Sequence, residues 1–166
     1  FKSDNVLTDN DITISMYSSN AILVDLTSNE VIYERNSRQT TYPASLTKMM
    51  TVLVAIENKT ADMMTVDVDF NELYEEGAAI AGFKNGETVS FEDLLYGIML
   101  PSGADAALTV AKNIAGSEAG FVELMNQKAK SLGMTGTHFT NVTGLHDDEH
   151  YSTAYDMAML VKAALY

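Results

Sequence analysis

The chain has 166 residues, 46% of them apolar and 20% charged, which gives enough apolar mass for one domain with a real core and excludes a disordered chain. Ten Lys plus Arg stand against 23 Asp plus Glu, a formal charge of −13, so there is no basic stripe for nucleic acid or for an anionic membrane. Cysteine is absent, which excludes disulfides, a thiol nucleophile and thiolate metal sites.

Phe1-Lys2-Ser3-Asp4-Asn5 is polar and is no signal peptide, and no apolar run approaches the ~20 residues of a membrane span. Residues 1–11 carry little pattern and read as a loose lead-in. Ala21-Ile22-Leu23-Val24-Asp25-Leu26 and Val31-Ile32-Tyr33-Glu34 are β-rich, and the turn formers Thr27-Ser28-Asn29-Glu30 join them, which predicts an antiparallel hairpin. Leu46, Met49, Met50, Leu53 and Val54 recur at helical spacing and predict a helix from about Ser45 to Glu57.

The stretch from Asp62 to Asp93 carries Asp62, Asp67, Asp69, Glu72, Glu75, Glu76, Glu87, Glu92 and Asp93 against the single base Lys84, and reads as a solvated face. Within it, Asp67-Val68-Asp69-Phe70-Asn71 opens like a calcium loop. Glu72 stands where that loop needs glycine and Ala78 at its twelfth position, so the reading fails. Ser90 caps a predicted helix through Met99, closed by Pro101. A second helix runs from about Ala104 to Ala115 before Gly116. Ser117 caps a third, which ends at Leu132 before Gly133, and Thr153 caps a last helix that runs to the end of the chain. Most of the methionines, at 49, 50, 63, 64, 99, 125, 134, 157 and 159, read as core filler.

Two places carry candidate chemistry. In Ser45-Leu46-Thr47-Lys48 the serine and lysine are i and i+3 neighbours on one helix face, at the end where free N–H groups and the helix dipole favour a developing oxyanion. Pro43 sets an extended approach to that helix. A serine hydroxyl attacks only with a base in reach, and a lysine serves as that base only when burial lowers its pKa. Ser-x-x-Lys is short enough to arise by chance, and Ser45 as an ordinary helix cap competes with the nucleophile. Leu100-Pro101-Ser102-Gly103-Ala104 sets a second serine on a turn between two helices, where it is either a cap or a proton relay. His146-Asp147-Asp148-Glu149-His150 has two histidines at a metal-binding spacing, but it lies between a Thr-Gly turn and a helix cap and reads as a surface loop.

These motifs together resemble the low-molecular-weight penicillin-binding proteins, and more closely the serine-type D-Ala-D-Ala carboxypeptidases. The resemblance runs in order from the hairpin at 21–36 through Tyr42–Thr51, Gly86–Gly97, Ser131–Met134 and Asn141–His146 to His150–Ala154. It implies an α+β fold of the penicillin-binding protein and β-lactamase type, incomplete at the C-terminus. Residues 12–60 and 152–166 would form a sheet-and-helix part and residues 61–151 a helical part. It implies Ser45 as nucleophile, Lys48 as general base and Ser102 as proton relay, in the Ser-x-x-Lys, Ser-x-Asn, Lys-Thr-Gly scheme.

Gly103 and Ala104 would contact substrate, with Ala104 standing where the family usually has Asn. Losing such a contact typically costs about 1–3 kcal/mol. Lys-Thr-Gly is absent from the chain, so the 166-residue piece alone is expected to be inactive. The implied partners are a peptidoglycan stem peptide and β-lactams, outside the cytoplasm, with no nucleic acid, cofactor or metal. An unpaired strand edge would offer a surface for association with another chain, and the oligomeric state stays open. A β-lactamase or peptidoglycan endopeptidase of the same fold, or a catalytically silent binding domain, are the alternatives.

Overall fold

A computed structural model describes all 166 residues. Strands β1 (Ala21–Asp25) and β2 (Glu30–Arg35) form the expected antiparallel hairpin, with an irregularity between Leu23 and Val24. The lead-in is not loose. Lys2 and Leu7 bridge in parallel to Glu30 and Tyr33, and Leu7 N–H donates to Ile32 C=O while Glu34 N–H donates to Leu7 C=O. Asp9 fastens it further, because the Arg35 guanidinium and the Tyr33 hydroxyl both donate to its carboxylate, which holds that carboxyl below the usual range. The lead-in therefore occupies the outer side of β2, whereas β1 is paired with β2 alone.

Helix α1 (Thr47–Glu57) follows a single 3-10 turn at Ala44–Leu46. Next come β3 (Met63–Thr65), α2 (Phe70–Glu75) and β4 (Thr88–Ser90), with β3 and β4 paired antiparallel. This small ribbon and α2 are additions to the sequence reading. Asp69 accepts from the N–H groups of Asn71 and Glu72, so the false calcium loop is a helix cap. All nine acids of the 62–93 stretch are exposed, as expected of a solvated face.

The remaining helices are α3 (Phe91–Met99), α4 (Ala104–Ala115), α5 (Glu118–Leu132) and α6 (Ala154–Leu165). Their limits follow the punctuation. Ser90, Ser117 and Thr153 cap α3, α5 and α6, and Gly116 and Gly133 take left-handed conformations (φ 77° and 76°) that end α4 and α5. None of the helices is long and apolar enough to cross a membrane.

Helix α1 is the hub. It packs against α3, α4, α5 and α6, and its Met50, Val54 and Ala55 join one continuous core with Leu94, Ile98, Val110, Phe121, Met125 and Leu160. Met50, Met64, Met125, Met134 and Met157 fill that core, while Met63 and Met99 are exposed. Helix α6 closes the other side of α1 and touches β1. Because Phe121 is fully buried at the centre of this packing, Phe121→Ala is expected to cost about 3–5 kcal/mol, measured by urea unfolding at neutral pH.

Candidate active site

Three segments meet at the start of α1. The first is Tyr42–Lys48. The extended approach expected there is broken, since Pro43 is helical (φ −72°, ψ −16°) and Ala44 is left-handed at φ 47°. A non-glycine residue at such a φ is uncommon and persists only when its surroundings fix it. They do so through Gly144 (φ 83°). A Cβ built there would lie 1.9 Å from the Ala44 carbonyl oxygen and 3.0 Å from Ser45 N. Only glycine allows the two backbones to approach this closely.

The second segment is the turn at 141–145. The Asn141 carboxamide oxygen accepts from Thr143 N–H, Thr143 Oγ1 and Gly144 N–H, and its Nδ2 donates to Leu145 C=O. The turn is bound to α1 at two points: Thr51 Oγ1 donates to Val142 C=O (2.8 Å) and Lys48 Nζ donates to Thr143 C=O (2.6 Å). From the other side Glu118 accepts from Val142 N–H, and burial raises its carboxyl pKa.

The third segment is the turn between α3 and α4. Ser102 is left-handed at φ 61°, and Gly103 N–H donates to Gly97 C=O. Asp105, fully buried in the first turn of α4, accepts from the N–H groups of Ala81, Gly82 and Phe83 (2.7, 3.0 and 3.1 Å), and Ala104 N–H donates to Ala79 C=O. The loop at 79–83 thus clamps the serine turn in place. A Cβ at Gly103 would meet Gly97 O, Ala81 Cβ and Asp105 Oδ1 at 2.7–2.8 Å, so this position also requires glycine.

Ser102 Oγ lies 3.0 Å from Ser45 Oγ. Neither serine caps a helix. The caps of α1 and α4 are Leu46 and Gly103, without side-chain bonds. Ser45 is exposed and Ser102 half-buried, whereas Lys48 is buried, and burial lowers its amine to about 8. Lys48 Nζ donates to the Thr143 carbonyl rather than to either serine. Gly103 and Ala104 are both buried in the same turn, and Ala104 contributes its methyl to the core. A cleft of about 720 Å³ lies beside this site. It borders the same turn through Tyr42, Pro43 and Leu46 and extends between β1 and α6.

A profile of the D-alanyl-D-alanine carboxypeptidase family (peptidase S11) matches residues 6–166. The chain belongs to this family. It is 38% identical over 152 residues to the Bacillus subtilis D-alanyl-D-alanine carboxypeptidase DacF, covering 89% of this chain and 39% of that protein. It is 40% identical over 154 residues to the Escherichia coli D-alanyl-D-alanine carboxypeptidase DacC, covering 87% and 38%. The crystal structure of penicillin binding protein 6B from Escherichia coli superposes with a TM-score of 0.84 at 34% identity, covering 93% of this chain and 51% of that one. The fold is therefore the α+β fold of these peptidases, and the chain spans well under half the length of the two carboxypeptidases it matches.

The histidines at 146 and 150 part company. His146 is exposed beside Asp148, but His150 is buried and hydrogen-bonded, so the surface-loop reading does not extend to it. Sequence reasoning also missed Asp105 and the Thr143 carbonyl. A carboxylate inside an apolar helix was the available signal for Asp105, whereas a backbone oxygen leaves none.

Two outcomes follow. Gly144→Ala is expected to unfold the site or expel the Ser45 turn, seen as a large drop in the urea midpoint, because the clash is with backbone. The depressed amine of Lys48 destabilises the fold fully below pH 8. That cost fades between pH 8 and the unfolded value of 10.5, so stability relative to Lys48→Met should rise over this window in pH-resolved denaturation.

Proposed function

We propose that this chain carries the nucleophile half of a serine D-Ala-D-Ala carboxypeptidase site. One observation carries the reading: two serines placed at helix starts leave their caps unmade and set their hydroxyls 3.0 Å apart, above a buried lysine. In the reading, Ser45 is the nucleophile, Lys48 the general base and Ser102 the relay. Family membership and the depressed Lys48 amine support it.

Neutral Lys48 accepts the Ser45 hydroxyl proton, and Oγ attacks the carbonyl carbon of the penultimate D-Ala. The C–N bond breaks, and the proton passes through Ser102 to the amine of the departing D-Ala. Water then hydrolyses the Ser45 ester. A β-lactam carbonyl would acylate Ser45 by the same first step.

The substrate is a peptidoglycan stem peptide outside the cytoplasm. The two parts expected from the sequence, 12–60 with 152–166 and 61–151, flank the serine pair. Gly103 and Ala104 lie beside the relay, and Ala104 brings no amide to the substrate. Lys-Thr-Gly is absent from the 166 residues, so the piece alone is expected to release no D-Ala.

The test is a fluorescent penicillin on the full-length gene product. Covalent labelling should vanish in Ser45→Ala, and equal labelling of that variant would sink the assignment. Because Lys48 must be neutral to act, the labelling rate should climb about tenfold per pH unit below 8 and level off above it, measured by stopped labelling from pH 6 to 10. Rapid loss of the label would instead favour a β-lactamase, and complete absence of labelling a silent binding domain.

A further inference from the structure

His150 is the second most conspicuous polar group near α1, and the reaction above does not use it. It is 2% exposed and sits 103 residues from its partner, Thr47, the residue immediately before Lys48. Thr140 N–H points at Nδ1 (3.0 Å), and a backbone N–H can only donate, so Nδ1 is the acceptor. Nε2 therefore carries the proton and donates to Thr47 Oγ1 at 2.7 Å. The ring of Phe139 packs edge-on at 5.5 Å. The segment bearing His150 is itself fixed, because Tyr151 bridges to His138 and Ser152 to Thr41.

We propose that His150 is a positioning residue, whose uncharged ring pins the first turn of α1 through Thr47, and that acid releases the pin. The link to catalysis rests on the reading of Ser45 and Lys48 given above. A proton added at Nδ1 would set two donors, the ring N–H and Thr140 N–H, against each other in a buried site. The Thr140 N–H bond must break, and the charged ring must turn to aim Nδ1–H at an acceptor such as Thr140 Oγ1, 3.4 Å away, or leave. Leaving frees the Thr47 hydroxyl on the turn between Ser45 and Lys48.

The charged groups around the ring do not rescue the protonated form. Burial disfavours it most, Asp147 on the same loop favours it, and His138 on the run opposite disfavours it; α1 carries Lys48 next to Thr47 and Glu57 at its far end. The ring is held near pKa 4, below its ordinary 6.5.

The experiment uses the full-length protein with His150→Gln, His150→Ala, Thr47→Ala and the double variant His150→Ala/Thr47→Ala. Gln offers an acceptor and a donor at similar reach and does not ionise. Ring ¹⁵N NMR of the wild type should show the Nε2–H tautomer at pH 7. The unfolding equilibrium of the wild type should shift toward the unfolded state by about 80-fold relative to His150→Gln as pH falls from 6.5 to 4, since the unfolded ring takes up a proton that the folded ring refuses.

At pH 8.5, His150→Ala and Thr47→Ala should each slow penicillin labelling by about tenfold or more, as a displaced catalytic turn does. The double variant should be no slower than the worse single, and His150→Gln should stay within about threefold of wild type. Parallel acid profiles for wild type and His150→Gln, an Nδ1–H tautomer, or losses that multiply in the double variant would overturn the proposal. If His150→Ala does not fold, the glutamine variant and Thr47→Ala decide it. A wild type that takes no label refutes the nucleophile reading, while the NMR tautomer and the acid profile still judge the pin.

Discussion

The contact on which the site depends is the near-collision of two backbones, Gly144 against Ala44. It holds Ala44 in a left-handed conformation, and that conformation turns Ser45 away from a cap position. The same turn at 141–145 supplies the carbonyl that accepts from Lys48 and the one that accepts from Thr51. The absence of a side chain at 144 is thus what lets this loop pack against both the Ser45 turn and the Lys48 amine. The local strain is sustained by the interior of α1, whose apolar face is locked among four other helices.

Two buried polar groups do comparable work in different ways. Asp105 gathers three consecutive N–H groups of a loop that has no regular structure to absorb them, and the Ser102 turn inherits their rigidity. His150 instead joins segments far apart in sequence, bonding to Thr47 on α1 and accepting from Thr140 N–H. Lys48 lacks a carboxylate partner and meets one carbonyl at 2.6 Å, an arrangement that leaves it poised to lose its proton. An acidic partner would have raised its pKa instead.

Much of this was legible in the residues. Ser90, Ser117, Gly116, Gly133 and Thr153 mark helix limits through local chemistry, so those limits emerged within a residue or so. The hairpin was readable from β-branched runs around a turn. The ribbon of β3 and β4 was not legible although Met64, Val66 and Val68 alternate with exposed residues, because each strand is only three residues long and stands among acids. The order in the lead-in was invisible because its bonds are backbone bonds to β2, made by residues without pattern. At the site, spacing joined Ser45 to Lys48, whereas Ser102, 57 residues away, was brought to them only by the family resemblance. Ala44's conformation and the Thr143 carbonyl could not be read, since both arise from tertiary packing rather than from side-chain identity.

The lead-in beside β2 has one more consequence. A bare two-stranded ribbon is open on both sides and can be extended indefinitely by copies of itself. Here one side is already taken by the chain's own first residues, so the ribbon has a single remaining valence, on β1. The unpatterned lead-in thereby covers one edge of the ribbon with backbone bonds.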